Sequence, residues 1–435
     1  MTQNCSNAVP TSMSSADHYE IRCPVHGFIR MNDWEMGIIS QSAFQRLRRI
    51  RQLAWTDYVY PGGMHTRFEH SLGVMHTATL LYDAIVRNSK DLLESELAYN
   101  EAGFTRYRQL VRIAALLHDV GHGPFSHAGE DLLPLKETGE QYRHEDYSAA
   151  IVRSRFKSAI EDHPDCNNYG FTVDDVAALI EGTAGAKQGI FWRDIISSQM
   201  DADRMDYLLR DSHHIGVEYG KFDLDRLIST IRTIPGNGGE ASRLGISYGG
   251  WHAAEALVMA RYFMFTQVYF HKTRVAYDIH LRGALREILP QGKFPKPEGD
   301  GLEEFLKWDD WRVLGCLSDG AGGEHGERLR TRNHYRRIYA TNEVCTGEDL
   351  VTLGQIRAAL GAMLAAEEPA NKNWYKTDKT DIPVFNETGD KTVAPLSYYS
   401  SVVANMKANN QVLLYVKPED RTAATEAVGK VLGKE

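Results

Sequence analysis

The sequence predicts a mainly α-helical protein with short β-hairpins and a smaller α+β C-terminal region. Apolar residues recur at helical spacing through most of the first 290 positions, and Pro and Gly clusters punctuate them. After Leu289 the composition shifts, and short helix-like segments alternate with strand-like runs.

Residues 1–17 are polar and rich in Ser, Asn and Thr, which reads as a flexible tail without a targeting pattern. A core over 18–290 and a smaller α+β region over 291–435 follow. Tyr19 to Met31 alternates around Pro24-Val25-His26-Gly27, predicting a hairpin. Helices are expected over Ser42 to Leu53, Phe68 to Val86, Tyr107 to Asp119, Glu145 to Arg155, Thr172 to Gly182, Trp192 to Asp211 and Trp251 to Leu289. Leu227 to Ile234 and Arg243 to Tyr248 flank the turn-rich Gly236-Asn237-Gly238-Gly239, a second hairpin signal. Beyond it, Pro290 to Gly301 reads as a linker, Asp319 to Glu327 as a glycine-rich break, and Ile382 to Phe385 and Gln411 to Val416 as strands.

A length of 435 residues suffices for a sizeable core, and 43% hydrophobic with 25% charged residues excludes wholesale disorder. The net charge of −9 supplies no global field for a nucleic-acid backbone, so no stable duplex partner is expected. Arg46, Arg48, Arg49 and Arg51 form a local basic stretch suited to a small polyanion or, equally, to a solvated helix face. Five cysteines lie scattered without a C-x-x-C pair, which favours a reduced, cytoplasmic setting. No apolar run approaches the roughly 20 residues of a membrane span, so no membrane association is expected.

The chemistry-bearing signal is His118-Asp119 at the end of an apolar helix, followed by Gly121-His122-Gly123-Pro124-Phe125-Ser126-His127. Adjacent His and Asp at a helix end can reach one cation, because the chain leaves regular geometry there and glycines permit close approach. Two ligands do not hold a metal. Further candidates are His70, in Arg67-Phe68-Glu69-His70-Ser71, and Asp203, in Asp201-Ala202-Asp203-Arg204-Met205-Asp206-Tyr207. Two imidazoles and two carboxylates suit manganese, iron or zinc, and the absence of thiolates argues against a structural zinc site.

With these motifs, the run from Ser42 to His144 resembles the HD-domain phosphohydrolases, and within them the deoxynucleoside triphosphate triphosphohydrolase branch. The likeness extends through Asp201 to Gly216, more loosely to about Leu289, and is weak beyond. It implies an HD-domain helical core with His70, His118, Asp119 and Asp203 as ligands of a divalent metal, and water attack at the α-phosphorus of a dNTP to give deoxynucleoside and tripolyphosphate. Magnesium can accompany the triphosphate. His122, His127 and His144 are then candidates for acid, base and transition-state roles, since imidazole titrates near neutral pH.

The resemblance makes His127 the general acid, with Glu130, three residues on, placed to orient its ring where the family commonly has Asp. It places Arg67, Arg204, Arg261 and Lys272 on the phosphates, Gln52, Leu53, Tyr207 and Asp211 on the sugar, and Tyr269 beside the base. Phe265 stands where the mammalian member of the branch carries His. Gln45 and Arg48 match contacts of a regulatory nucleotide, whereas Ser40 departs from the acidic residue used there. An effector nucleotide and a homo-oligomer, tetrameric or larger, are implied partners. His213 and His214 are expected to pack or cap, and Glu367-Glu368 to be solvated. Two alternatives stay open: an HD phosphohydrolase acting on a monophosphate, cyclic or alarmone nucleotide or on single-stranded nucleic acid, and a nucleotide-sensing protein without turnover.

Overall fold

A computed structural model describes residues 19–183, 190–236, 242–372, 381–388 and 391–433. The expected tail over 1–17 and the turn residues Asn237-Gly238-Gly239 lie outside the described residues. The chain opens with the hairpin β1 (Tyr19–Cys23) and β2 (Gly27–Met31), antiparallel with Tyr19 opposite Met31. A short helix, α1 (Asp33–Ile39), follows.

Two long helices form the centre. In α2 (Arg67–Leu97) the Glu69 carboxylate accepts the Thr66 N–H at 2.8 Å, which fixes the start of the helix and puts His70 in its first turn. In α3 (Glu101–Leu117) Leu110, Ile113, Ala114 and Leu117 are buried as their spacing predicts, and His118 is the C-cap. Around them lie α4 (His144–Arg155), α5 (Val173–Glu181), α6 (Ala202–Ile215) and α7 (Leu224–Thr230). Strands β3 (Ile231–Ile234) and β4 (Arg243–Ser247) then pair antiparallel, and α8 (Trp251–Met264) and α9 (Lys272–Ile288) complete the first part.

After it come α10 (Asp310–Ser318), α11 (Gly323–Arg330), β5 (Arg336–Ala340), α12 (Gly347–Leu360), β6 (Leu364–Lys372), β7 (Pro383–Phe385), β8 (Val393–Pro395), β9 (Asn409–Val416) and α13 (Arg421–Val431). The fold is therefore a helical core with a smaller α+β C-terminal region. One sheet runs β3-β4-β7-β8, with β4 and β7 parallel, so a late strand completes an early hairpin. The other runs β5-β9-β6, all antiparallel.

Several expected elements are corrected. Ser42 to Leu53 is a four-residue α-turn and a 3-10 turn ending at Arg49, because Arg46 is drawn inward to donate to the Trp308 carbonyl at 2.7 and 3.0 Å. Trp192 to Asp211 is no single helix: a 3-10 turn ends at Ile195, and α6 starts anew where the Asp201 carboxylate caps the Arg204 N–H at 2.7 Å. Trp251 to Leu289 breaks at a π-helical turn over Phe265–Tyr269, with His271 capping α9. Leu227 to Thr230 is helical, so the second hairpin begins at Ile231. Pro290 to Gly301 is no solvated linker, since Phe294 is buried against Phe305, and the second half of Asp319 to Glu327 belongs to α11. Among the described residues no helix is long and apolar enough to cross a membrane.

Candidate active site

Four local decisions bring the site together. The capped start of α2 presents His70, the end of α3 presents His118 and Asp119, the capped start of α6 presents Asp203, and a 3-10 turn over Ser126–Leu132 presents His127 and Glu130. All four elements converge on one cavity of about 800 Å3.

His70 is fully buried, and its Nδ1 meets Asp206 Oδ2 at 2.8 Å, while His118 Nδ1 meets the Ala115 carbonyl at 2.8 Å. A carbonyl can only accept, so His118 carries its hydrogen on Nδ1, and Asp206 sets His70 the same way. Both Nε2 atoms therefore turn bare lone pairs inward, and neither has a hydrogen-bond partner among the described residues. Asp203 Oδ1 lies 3.0 Å from His70 Nε2 and 3.8 Å from His118 Nε2. Asp119 Oδ2 is 3.4 Å from His70 Nε2, and its Oδ1 is 3.3 Å from His118 Nε2. Orphaned ring nitrogens facing carboxylates at these distances form a donor set that fits a divalent cation.

The electrostatics agree. Burial opposes charge on Asp119, yet Arg67, His118 and His122 hold its carboxyl well below the usual range. Burial likewise opposes positive charge at His70, yet the Asp119, Asp203 and Asp206 carboxylates outweigh it and raise its pKa, the same pull toward positive charge that a cation between them would answer. Behind His70, the Asp206 carboxylate also receives Arg210 Nε and a second Arg210 nitrogen at 2.8 Å each, and His26 Nε2 at 2.6 Å. Sequence reading missed Asp206, Arg210 and His26 in this role. The spacing Asp203, Asp206, Arg210 along one helix face was the available signal.

A second group of donors adjoins the first. Glu130 Oε2 takes His127 Nδ1 at 3.0 Å and its Oε1 takes His144 Nδ1 at 2.6 Å. The 3-10 geometry eclipses residues three apart, which places Glu130 directly beside His127. The His122 ring stacks on His144 at 4.0 Å and its Nε2 is 3.2 Å from Asp119 Oδ1. Burial and Arg67 keep His122 neutral, its pKa well below the ordinary value. For His144, burial works against protonation, but the Glu130 carboxylate prevails and pushes its pKa up to about 9.

Of the residues expected to contact substrate, Gln52, Leu53, Arg67, Arg204, Tyr207, Asp211, Arg261 and Tyr269 line the cavity. Asp211 is held by His65 Nε2 at 2.7 Å and by the Tyr269 hydroxyl at 2.6 Å. Arg67 donates to the Asp119 carboxylate and to Ser126 Oγ, and Arg204 folds back on Asp201 and the Ser198 carbonyl. Arg261 donates to Gln199 Oε1 at 3.2 Å. Lys272 is not brought to the cavity: it is exposed at the first position of α9. Arg274, in the first turn of that helix, and Arg282, farther along it, line the wall instead, with Asp278 and Glu368. Glu368 is thus not solvated, since it pairs with Arg282, whereas Glu367 meets Arg357 outside. Gln45 and Arg48 are joined to each other at 2.8 Å, away from the cavity lining, with the Arg48 guanidinium 3.4 Å above the Phe68 ring.

A family model described as the HD domain matches residues 67–211, and one described as the HD associated region matches residues 222–433. The chain is 36% identical over 311 residues to the uncharacterized protein YwfO of Bacillus subtilis, covering 67% of this chain and 64% of that one. It is 35% identical over 195 residues to the deoxynucleoside triphosphate triphosphohydrolase SAMHD1 homolog of Dictyostelium discoideum, covering 44% of this chain and 35% of that protein. The chain spans less than two thirds of the length of both curated relatives. A crystal structure of a hypothetical protein from Aquifex aeolicus matches with a TM-score of 0.78 at 27% identity, covering 95% of this chain and all of that one.

Proposed function

The chain belongs to the HD-domain family of phosphohydrolases, and from that premise we propose that it hydrolyses deoxynucleoside triphosphates to deoxynucleoside and tripolyphosphate. One observation carries the reading: a single cavity is lined by His118, Asp119 and Asp203, by His127 and His144, and by the Tyr207, Asp211 and Tyr269 group. The first fits a cation, the second can move a proton, and the third offers a carboxylate and two phenol rings to a sugar.

HD domains bind a divalent metal, and here His70, His118, Asp119 and Asp203 would hold it, supplying Lewis acidity and a more acidic water. Water attack on the α-phosphorus breaks the bond to the 5′ oxygen, which must receive a proton as it leaves. With Nδ1 committed to Glu130, His127 presents Nε2 toward the cavity and serves as that acid. The His144 imidazolium, held by the same carboxylate, offsets charge that develops on the phosphoryl oxygens. His122 stays neutral and keeps Asp119 in place. Arg67, Arg204 and Arg261 serve the phosphates, and Tyr207 and Tyr269 crowd the 2′ carbon while Asp211 takes the 3′ hydroxyl.

A shorter phosphate chain is the second reading. It is favoured by the pairing of Arg67, Arg204, Arg274 and Arg282 with carboxylates, which leaves Arg261 with a neutral partner. Incubating manganese-loaded protein with each dNTP and NTP and with the corresponding mono- and diphosphates, singly and in mixtures, and resolving the products by anion exchange decides between them. Tripolyphosphate with deoxynucleoside supports the proposal, whereas orthophosphate or pyrophosphate supports the second reading. Light scattering of the same samples, with and without nucleotide, tests the homo-oligomer and effector that the resemblance implies.

A further inference from the structure

The segment that carries His122 and His127 has an unusual backbone. Phe125 and Ser126 both sit at positive φ, 58° and 55°, a region that bulky L-residues rarely adopt and keep only when surrounding contacts impose it. What imposes it comes from far along the chain. The Asp310 carboxylate, almost fully buried at the start of α10, accepts the Phe125 N–H on Oδ1 at 2.7 Å and the Arg51 N–H on Oδ2 at 2.9 Å. Ser126 Oγ donates to the Arg51 carbonyl at 2.7 Å and accepts Arg67 Nε at 2.9 Å, and Arg67 in turn holds Asp119. The Phe125 ring is stacked on Trp55 at 5.1 Å.

Asp310 does not act alone. The two residues before it grip the same stretch, for Arg49 Nε donates to Asp309 Oδ2 at 2.5 Å and Arg46 donates to the Trp308 carbonyl. Trp308, Asp309 and Asp310 thus lock Arg46, Arg49 and Arg51 in register. The Trp308 and Asp309 contacts hold the segments together. The Asp310 contact is the one made to Phe125 itself, and both of its oxygens are used on backbone donors from two separate segments.

We propose that Asp310 is a positioning residue for the catalytic loop, tying Phe125 to Arg51 so that the left-handed turn aims His127 into the cavity. This gives the C-terminal region a part in the chemistry of the HD core, and its bearing on turnover rests on the function proposed above. An isosteric Asp310→Asn keeps one acceptor and turns an amide N–H₂ against a backbone N–H, so one of the two ties is lost.

The test combines amide hydrogen exchange with kinetics on the full metal-loaded chain. In the wild type the Phe125 and Arg51 amides should exchange slowly, and rapid exchange at both overturns the proposal whatever any variant does. In Asp310→Asn, exchange over residues 121–127 should quicken at least tenfold while the α2 and α3 amides and the bound metal stay unchanged. With a hydrolysed dNTP, kcat should fall at least tenfold and KM move less than threefold, as expected for a misplaced acid on an intact binding site. Asp309→Asn, which loosens the neighbouring contact only, should keep the loop protected. Unchanged exchange at 121–127, or faster exchange spread evenly over the molecule, overturns the proposal. If no dNTP is hydrolysed, the functional reading fails and the exchange result still decides the role of Asp310.

Discussion

Asp206 shows how much of a candidate metal centre lies behind the residues that would hold the ion. Its two oxygens receive four donors, from His26, His70 and twice from Arg210, so every lone pair is used. Gly73 makes the arrangement possible, since a Cβ there would lie 1.9 Å from Asp206 Oδ1. Replacing Asp206 with Asn should leave the shape but weaken the hold on His70, lowering metal affinity by roughly 10- to 100-fold. Titration with a metal chelator reads this directly, and an unchanged affinity would show that the ring is oriented by packing alone. Glu130 governs a different property. Burial lowers the pKa of His144 and the Glu130 carboxylate more than reverses this, to about 9, so the imidazolium persists at neutral pH and is lost as pH rises through that value. The Glu130→Gln enzyme should therefore lose turnover at lower pH than the wild type, its alkaline limb in kcat/KM shifted toward the ordinary histidine range near 6.5. Coincident limbs would remove His144 from the rate profile.

Helix α9 faces two ways. Arg274, Asp278 and Arg282, four residues apart, face the cavity, while Val275, Ala276 and Ile279 pack on Tyr335, Leu413 and Tyr415 of the C-terminal region. His280 joins these sides. Its Nε2 accepts the Tyr335 N–H at 3.1 Å, so its hydrogen is on Nδ1 and donates to His325 Nδ1 at 2.9 Å. An added proton on either ring would set two donors face to face. Burial first, then His325 and Arg328, pull the His280 pKa down to about 3. The unfolded chain binds a proton below about 6.5 that the folded chain refuses, so this contribution is full above 6.5 and is lost progressively toward 3. At pH 5 the loss is about 2 kcal/mol. Melting curves between pH 7 and 5 should show a smaller acid destabilisation in His280→Gln than in the wild type, and parallel curves would contradict the pairing. Such elements also mark what the sequence can tell. The spacing of Leu110, Ile113, Ala114 and Leu117 announces α3, and His118-Asp119 and His127 are legible because each lies in a short continuous motif whose geometry is local. Arg46, Glu368 and Asp206 are not legible, because their partners lie 262, 86 and 136 residues away. A charged residue whose partner is that remote looks the same on paper as a solvated one. The break in Trp251 to Leu289 escapes for the opposite reason: its apolar spacing continues through the π-helical turn, and only the cap at His271 ends it.

At the scale of the whole molecule, the change of composition at Leu289 is not matched by a break in packing. One apolar cluster contains Ile29, Leu72 and Ile113 together with Phe294, Phe305, Trp308, Ile382 and Val403. Strand β7 adds to β4 through Ile246 opposite Val384, and Glu368 reaches back to Arg282 in the cavity wall. A chain cut at residue 290 would strand the buried Arg46 guanidinium without the Trp308 carbonyl, at about 1–3 kcal/mol for a buried unsatisfied donor, and would free the Phe125 loop from Asp310. It would also uncover the apolar faces now closed by Phe294, Phe305 and Leu317. A single-domain stability of about 5–15 kcal/mol does not absorb several such losses. We therefore expect the full chain to melt in one cooperative transition monitored by near-ultraviolet circular dichroism, and the 1–290 fragment to bind a hydrophobic dye, show no such transition and hold metal weakly. A fragment that melts cooperatively and binds manganese as the full chain does would show instead that the first 290 residues fold alone, with the C-terminal region docked on a finished core.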